Sequence, residues 1–237
     1  MPAAYRPDDA LRPAELAHRD GLAYALFLPE CPASAGLLVL HGADSAKESH
    51  YDFARLAAAS GLAALCFDLR GHGDSDAVLG GGALDDVATM AGRVREACSG
   101  GPLALRGSSM GGWLALCSAR PVEAAAVVAI CPATGPGLRR GVRDGRFAFR
   151  ADPEGFDALV SEQDAVAAAS TLGERLLLMH AEGDEQVPIT VSAELHAAAP
   201  GSRFVRVPGG HHRSIQHDRE LQAASLRWLL AGVTAPH

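Results

Sequence analysis

At 237 residues, with 48% hydrophobic and 21% charged side chains, the chain has enough apolar material for one globular domain over residues 1–237 and is too apolar for a disordered protein. Its formal net charge of −7 argues against nucleic acid as a partner, because phosphate binding needs a basic surface. No apolar run reaches transmembrane length and residues 1–20 hold no signal-like apolar core, so no membrane insertion and a cytoplasmic location are expected.

In chain order, apolar runs alternate with longer amphipathic stretches. A first strand is expected at 23–28 and a second at 37–40, which runs into His41-Gly42-Ala43. A helix over 51–60 precedes a strand at 63–68 and the turn Asp68-Leu69-Arg70-Gly71-His72-Gly73-Asp74-Ser75. In the next helix, 84–98, Leu84, Val87, Ala88, Ala91, Val94 and Ala97 recur at helical spacing. A strand at 103–106 ends at Gly107-Ser108-Ser109-Met110-Gly111, and a helix over 112–120 follows. After a strand at 125–130 the apolar pattern lapses over residues 132–155, where Arg139, Arg140, Arg143, Arg146 and Arg150 gather. That stretch is either a short lid over a pocket or a surface excursion. Its arginines either meet an anionic group of a substrate or form a solvated basic face. A helix at 156–170, a strand at 176–180, a helix at 192–198, a strand at 204–207 and a helix at 216–230 complete the alternation. Several strands are continuous apolar runs, the mark of strands covered on both faces. The fold class is therefore α/β, a mostly parallel sheet flanked by helices. The five cysteines are odd in number, lack a C-x-x-C pair and mostly sit in apolar runs, so they read as reduced core residues.

Residues 107–111 read G-x-S-x-G between a strand and a helix. A sharp turn there lifts the Ser109 hydroxyl out of the backbone, and its glycines avoid clashes where backbones crowd. A serine needs a base, a group that orients the base, and donors for the oxyanion. On such a turn the chain order is serine, acid, histidine, each at the carboxyl end of a strand. For the acid, strand 176–180 ends in Glu182-Gly183-Asp184-Glu185. Asp184 is preferred to its two neighbours because Gly183 permits a tight turn that aims it inward. For the base, strand 204–207 ends in Gly209-Gly210-His211-His212, and either histidine qualifies. His41 and His72 precede the serine, and His180 ends its own strand, so these three fit packing or supporting roles. The oxyanion donors are expected to be the backbone N–H groups of Met110 and Ala43. The histidines lack ligand spacing and this chemistry needs no metal or other cofactor.

Together these residues resemble the α/β-hydrolase superfamily over nearly the whole chain from about residue 22. The marks are Leu40-His41-Gly42, the turn at 68–75, Gly107 to Gly112, Asp184 with Val187-Pro188, and the Gly-Gly-His-His run. The turn at 68–75 is similar to that of serine aminopeptidase-like and monoglyceride-lipase-like esterases, in which it is structural. Residues 107–114 are similar to small acyl-protein thioesterase-like members. The cysteine nucleophile of dienelactone hydrolases is absent. The resemblance implies the α/β-hydrolase fold with a short lid insertion rather than a large cap. It implies His212 as the base, through the spacing G-x-x-H with a serine two residues on; the spacing G-x-H would select His211. The implied activity is hydrolysis of a small-molecule carboxylic ester by Ser109, His212 and Asp184 through an acyl-enzyme. Thioesterase activity on acyl-CoA or acyl-protein uses the same residues and is the alternative. Peptidase or amidase activity, or non-catalytic binding of a small molecule, is less consistent with the marks.

Overall fold

The computed structural model describes residues 12–235, so residues 1–11 of the N-terminal stretch considered above lie outside the described residues. Eight strands form one sheet: β1 (Glu15–Arg19), β2 (Leu22–Phe27), β3 (Ala35–Leu40), β4 (Leu62–Phe67), β5 (Leu103–Ser108), β6 (Ala124–Ile130), β7 (Leu176–Ala181) and β8 (Arg203–Val207). Their spatial order is β1-β2-β4-β3-β5-β6-β7-β8. β2 runs antiparallel to both β1 and β4, and every other neighbouring pair is parallel. The helices are α1 (Tyr51–Ala59), α2 (Ala83–Ala97), α3 (Met110–Ser118), α4 (Gly135–Arg143), α5 (Pro153–Glu162), α6 (Ala165–Leu172), α7 (Thr190–Ala198) and α8 (Arg219–Thr234).

The continuous apolar strands are explained by two separate cores, one on each face. Successive side chains of a strand point to opposite faces. Leu38 and Leu40 of β3 therefore join Val87, Val94, Trp113 and Leu172 on one side. Leu37 and Val39 join Phe53, Ala57, Leu226 and Leu229 on the other. Helices α1 and α8 cover the second face, while α2, α3, α5, α6 and α7 contribute to the first. Among the described residues, no helix is long and apolar enough to cross a membrane.

The structure departs from the sequence reading in several places. An edge strand, β1, precedes the first expected one, joined to β2 by Asp20 and Gly21, both at positive φ (52° and 78°). The expected lapse at 132–155 contains α4, started by Thr134, whose hydroxyl accepts the Gly137 N–H at 3.1 Å. The expected helix at 156–170 is two helices, because Asp164 accepts from Val166 and Ala167 N–H and starts α6 afresh. The last helix begins at Arg219, three residues late, after its cap Asp218. Four cysteines are buried, but Cys31 is exposed and so is no core residue. What matters for the site is direction: β3, β5, β7 and β8 point the same way, so the loops after Leu40, Ser108, Ala181 and Val207 emerge at one edge of the sheet.

Candidate active site

Ser109 sits between β5 and α3 at φ 52°, ψ −118°, a backbone conformation that L-residues avoid. Such a residue costs about 1–3 kcal/mol and persists only where its surroundings hold it. Here Ser109 N–H donates to the Ile130 carbonyl at 2.9 Å, and its own carbonyl accepts from Ala133 N–H at 3.0 Å and Trp113 N–H at 3.1 Å. The turn is closed by backbone contact. A Cβ on Gly107 would lie 2.1 Å from the Gly111 oxygen, and one on Gly111 would lie 2.3 Å from the Leu40 oxygen. The loop after β3 runs directly against the serine, since a Cβ on Gly42 would stand 3.2 Å from Ser109 Cβ. No acceptor among the described residues takes the N–H of Ala43 or of Met110.

The loops after β7 and β8 meet each other in the same way. Gly183 N–H donates to the Gly209 carbonyl at 3.2 Å, and Gly210, at φ 74°, leaves its oxygen 2.3 Å from where a Gly183 Cβ would be. This contact brings His212 Nδ1 to 2.7 Å from Asp184 Oδ2. Both side chains are almost fully shielded from solvent. Burial pushes the Asp184 carboxyl up, but it is outweighed by bonds from His180, His212 and the Val187 and Gln186 N–H groups, which hold it well below the usual carboxylate range. Asp184 is therefore ionised, and the proton on His212 sits at Nδ1, leaving Nε2 as the basic nitrogen. His211, in contrast, is exposed and its ring has no partner among the described residues. Glu182 pairs with Arg206 at 3.0 Å, and Glu185 is exposed and accepts the His212 N–H at 3.3 Å, so neither rival acid touches the ring.

The other histidines have supporting places. His180 Nε2 reaches the Val187 carbonyl at 2.9 Å and Asp184 Oδ2 at 3.3 Å, while its Nδ1 meets Ser192 Oγ at 2.7 Å. His41 Nε2 accepts the Leu69 N–H at 3.0 Å, so its Nδ1 carries the proton and donates to the Gly42 carbonyl at 2.7 Å. Burial first, then the neighbouring His72, lowers the His41 ring to about 4. His72 packs edge-on against His41 and stacks on Phe149.

Ser109 and His212 line one cavity of about 700 Å³. Gly42 and Ala43 form part of its wall, Val187 and Val191 another part, and Leu138 and Phe147 from the segment at 132–155 a third. Asp44 fastens that segment down, because its Oδ1 accepts the N–H groups of Ala148 at 2.7 Å and Phe149 at 3.1 Å.

Three neighbours of the site escaped the sequence reading. Cys131 lies at φ 43° after β6, and its sulfur, an Asp184 oxygen and a His212 nitrogen are within 4.8 Å of one another. Burial pushes its thiol up, so it stays protonated beside the Asp184 carboxylate. Arg106 of β5 is fully buried, stacks 3.8 Å from the Phe53 ring centre and donates to the Gln216 carbonyl at 3.2 Å, tying the serine's strand to the chain beyond His212. Lys47, also buried, donates to Asp68 at 2.8 Å and Asp74 at 2.7 Å. An arginine inside an otherwise apolar strand and a chain's lone lysine were the available signals for these last two.

Residues 37–169 match the model of the alpha/beta hydrolase family. A search of curated proteins finds no match. Among solved structures, the monoacylglycerol lipase of Paleococcus ferrophilus superposes with a TM-score of 0.70 at 20% identity, over 89% of this chain and 99% of that one. Est1E from Butyrivibrio proteoclasticus, described with ferulic acid bound, gives 0.68 at 18% identity, over 94% and 100%. XC6422 from Xanthomonas campestris, described as an a/b serine hydrolase without lid, gives 0.66 at 20% identity, over 95% and 98%. At these identities the similarity establishes the fold.

Proposed function

We propose a function from one premise: the chain belongs to the alpha/beta hydrolase family. It is a serine hydrolase that cleaves a carboxylic ester. Ser109 Oγ attacks the carbonyl carbon while His212 Nε2 takes the hydroxyl proton. The oxyanion is met by the Ala43 and Met110 N–H groups, each such donor contributing about 2.7–4 kcal/mol in the transition state. The ester C–O bond then breaks, and His212 returns the proton to the leaving alcohol. Water attacks the acyl-enzyme, His212 takes its proton, and the acid leaves as Ser109 regains its own. Asp184 holds the imidazole with Nδ1 protonated and stabilises the imidazolium. No metal or other cofactor enters these steps.

The observation that carries the reading is the 2.7 Å Asp184–His212 pair opening onto the same cavity as a serine on a strained turn. A thioester would be cleaved by the same residues, and the ratio of kcat/KM for an oxygen ester and its thioester twin measures that choice. The unpaired cysteines fit a reducing compartment such as the cytoplasm. The test is hydrolysis of p-nitrophenyl butyrate with labelling by a fluorophosphonate. Ser109→Ala is expected to lose the label and at least about 10⁴-fold in kcat. Turnover undiminished in that variant refutes the reading.

A further inference from the structure

We propose that the preferred substrates carry a negative charge, and that Arg140, Arg146 and Arg213 recognise it. This rests on the hydrolase reading and adds the class of substrate. The formal charge of the chain is −7, yet three arginines line the cavity that holds Ser109 and His212. Arg213 directly follows the base, and Arg140 and Arg146 come from α4 and the segment after it.

The pairing of the arginines separates two groups. On α4, Arg139 and Arg143 both form ion pairs with Asp157, at 2.7 and 3.0 Å. Arg140, on the same helix but lining the cavity, has no carboxylate partner among the described residues, and neither has Arg213. Arg146 has only the exposed Asp144, at 3.4 Å. The cavity's own acids, Asp44 and Glu185, are two against three arginines and form an ion pair with none of them. Asp44 is taken up by the Ala148 and Phe149 N–H groups, and Glu185 accepts from His212 N–H and the Gln186 side chain. Guanidinium groups without carboxylate partners beside a reacting centre suit a carboxylate or phosphate, which they bind through paired N–H donors. They also raise the local concentration of an anionic substrate, by an amount that added salt reduces.

The experiment compares two ester pairs on the intact protein. The first pair is p-nitrophenyl hemisuccinate against p-nitrophenyl butyrate, which puts the charge on the acyl side. The second is butyryl-CoA against butyryl-N-acetylcysteamine, which puts phosphate on the leaving group. The expected result is about a tenfold or greater kcat/KM advantage for the charged member of at least one pair at low ionic strength, shrinking in 0.5 M salt. The variant Arg140→Gln/Arg213→Gln, which leaves Arg146 in place, is expected to cut that ratio at least about threefold, whereas Arg143→Gln, whose guanidinium is held by Asp157, keeps it. Equal rates within both pairs, or a ratio untouched by the double variant, overturn the proposal. In that case turnover of the neutral esters leaves the hydrolase reading standing. If no ester is cleaved and the fluorophosphonate does not label Ser109, both readings fail together.

Discussion

Two histidines adjoin in the chain, and only one of them is given a carboxylate. Asp184 accepts two backbone N–H bonds through Oδ1, which fixes its plane and leaves Oδ2 to face imidazoles. His212 takes that oxygen at 2.7 Å, while His211 spends its backbone on Ser214 and leaves its ring in solvent. Replacing each by alanine therefore has unequal consequences. His212→Ala is expected to lower kcat for p-nitrophenyl butyrate at least about 10³-fold, whereas His211→Ala changes it by no more than about twofold. Steady-state kinetics of the two purified variants decides it, and a large loss in His211→Ala alone would reverse the assignment. Because Asp184 stays charged well below the ordinary carboxylate range, an acidic limb in the pH–rate profile belongs to another group.

At the level of elements, what the sequence disclosed depended on whether the deciding force was local. The central strands were legible because burial on both faces imposes apolar runs, unbroken in β3, β4 and β6 and interrupted only by Arg106 and Ser108 in β5 and by His180 in β7. Strand β1 was not, since its residues Glu15 to Arg19 lie at an edge with Leu16 63% exposed. Its signal was the Asp20-Gly21 pair, which can take two positive φ values and so joins two antiparallel strands tightly. Helix α4 was hidden by its glycines, which are used for contact: a Cβ on Gly141 would strike the Phe147 ring at 2.3 Å. The order of Ser109, Asp184 and His212 along the chain was visible, but Arg106 and Cys131 meet residues far away in the sequence, in α1, in the turn before α8 and in the loops after β7 and β8, and have no local pattern. Lys47 is the clearest case. Its N–H and ammonium both bind Asp68, and the Asp74 N–H binds Asp68 as well, so one buried carboxylate organises the turn after β4 and the loop after β3 together. Burial opposes the charge on Lys47, but Asp68, Asp74 and Glu48 overcome it and raise its proton affinity. Asp74 and Glu48 are largely exposed, so their shares are screened, and the weight falls on the Asp68 pair. Removing one partner of a buried pair strands the other's charge, so Lys47→Met is expected to cost about 3–5 kcal/mol in urea unfolding. A loss under about 1 kcal/mol would show that solvent reaches Asp68.

For the molecule as a whole, the deciding question is how the balance of protons changes on unfolding. His41, His50 and His72 are 0%, 1% and 5% exposed, and burial lowers the proton affinity of each ring. Unfolded histidine titrates near 6.5. As the pH falls through that value, the unfolded chain takes up protons that the folded chain refuses. Stability then declines as pH falls, with a limiting slope of about 1.4 kcal/mol per pH unit for each such ring. For His41 the loss continues until its folded value of about 4. The carboxylates act later. Asp68 and Asp184 are held below their ordinary range in the fold, so their contribution is complete above about 3.9 and fades only as the pH drops further. Urea midpoints measured from pH 8 to pH 4.5 are therefore expected to be level at first and then fall steeply from about pH 6.5. His72→Phe separates this from a general acid effect. The variant removes one titrating ring whose Nε2 is buried without a partner, while a phenyl ring keeps the stack on Phe149. Its midpoints should fall less steeply than those of the parent between pH 6.5 and 4.5, and an unchanged slope would mean that His72 already accepts a proton in the folded protein.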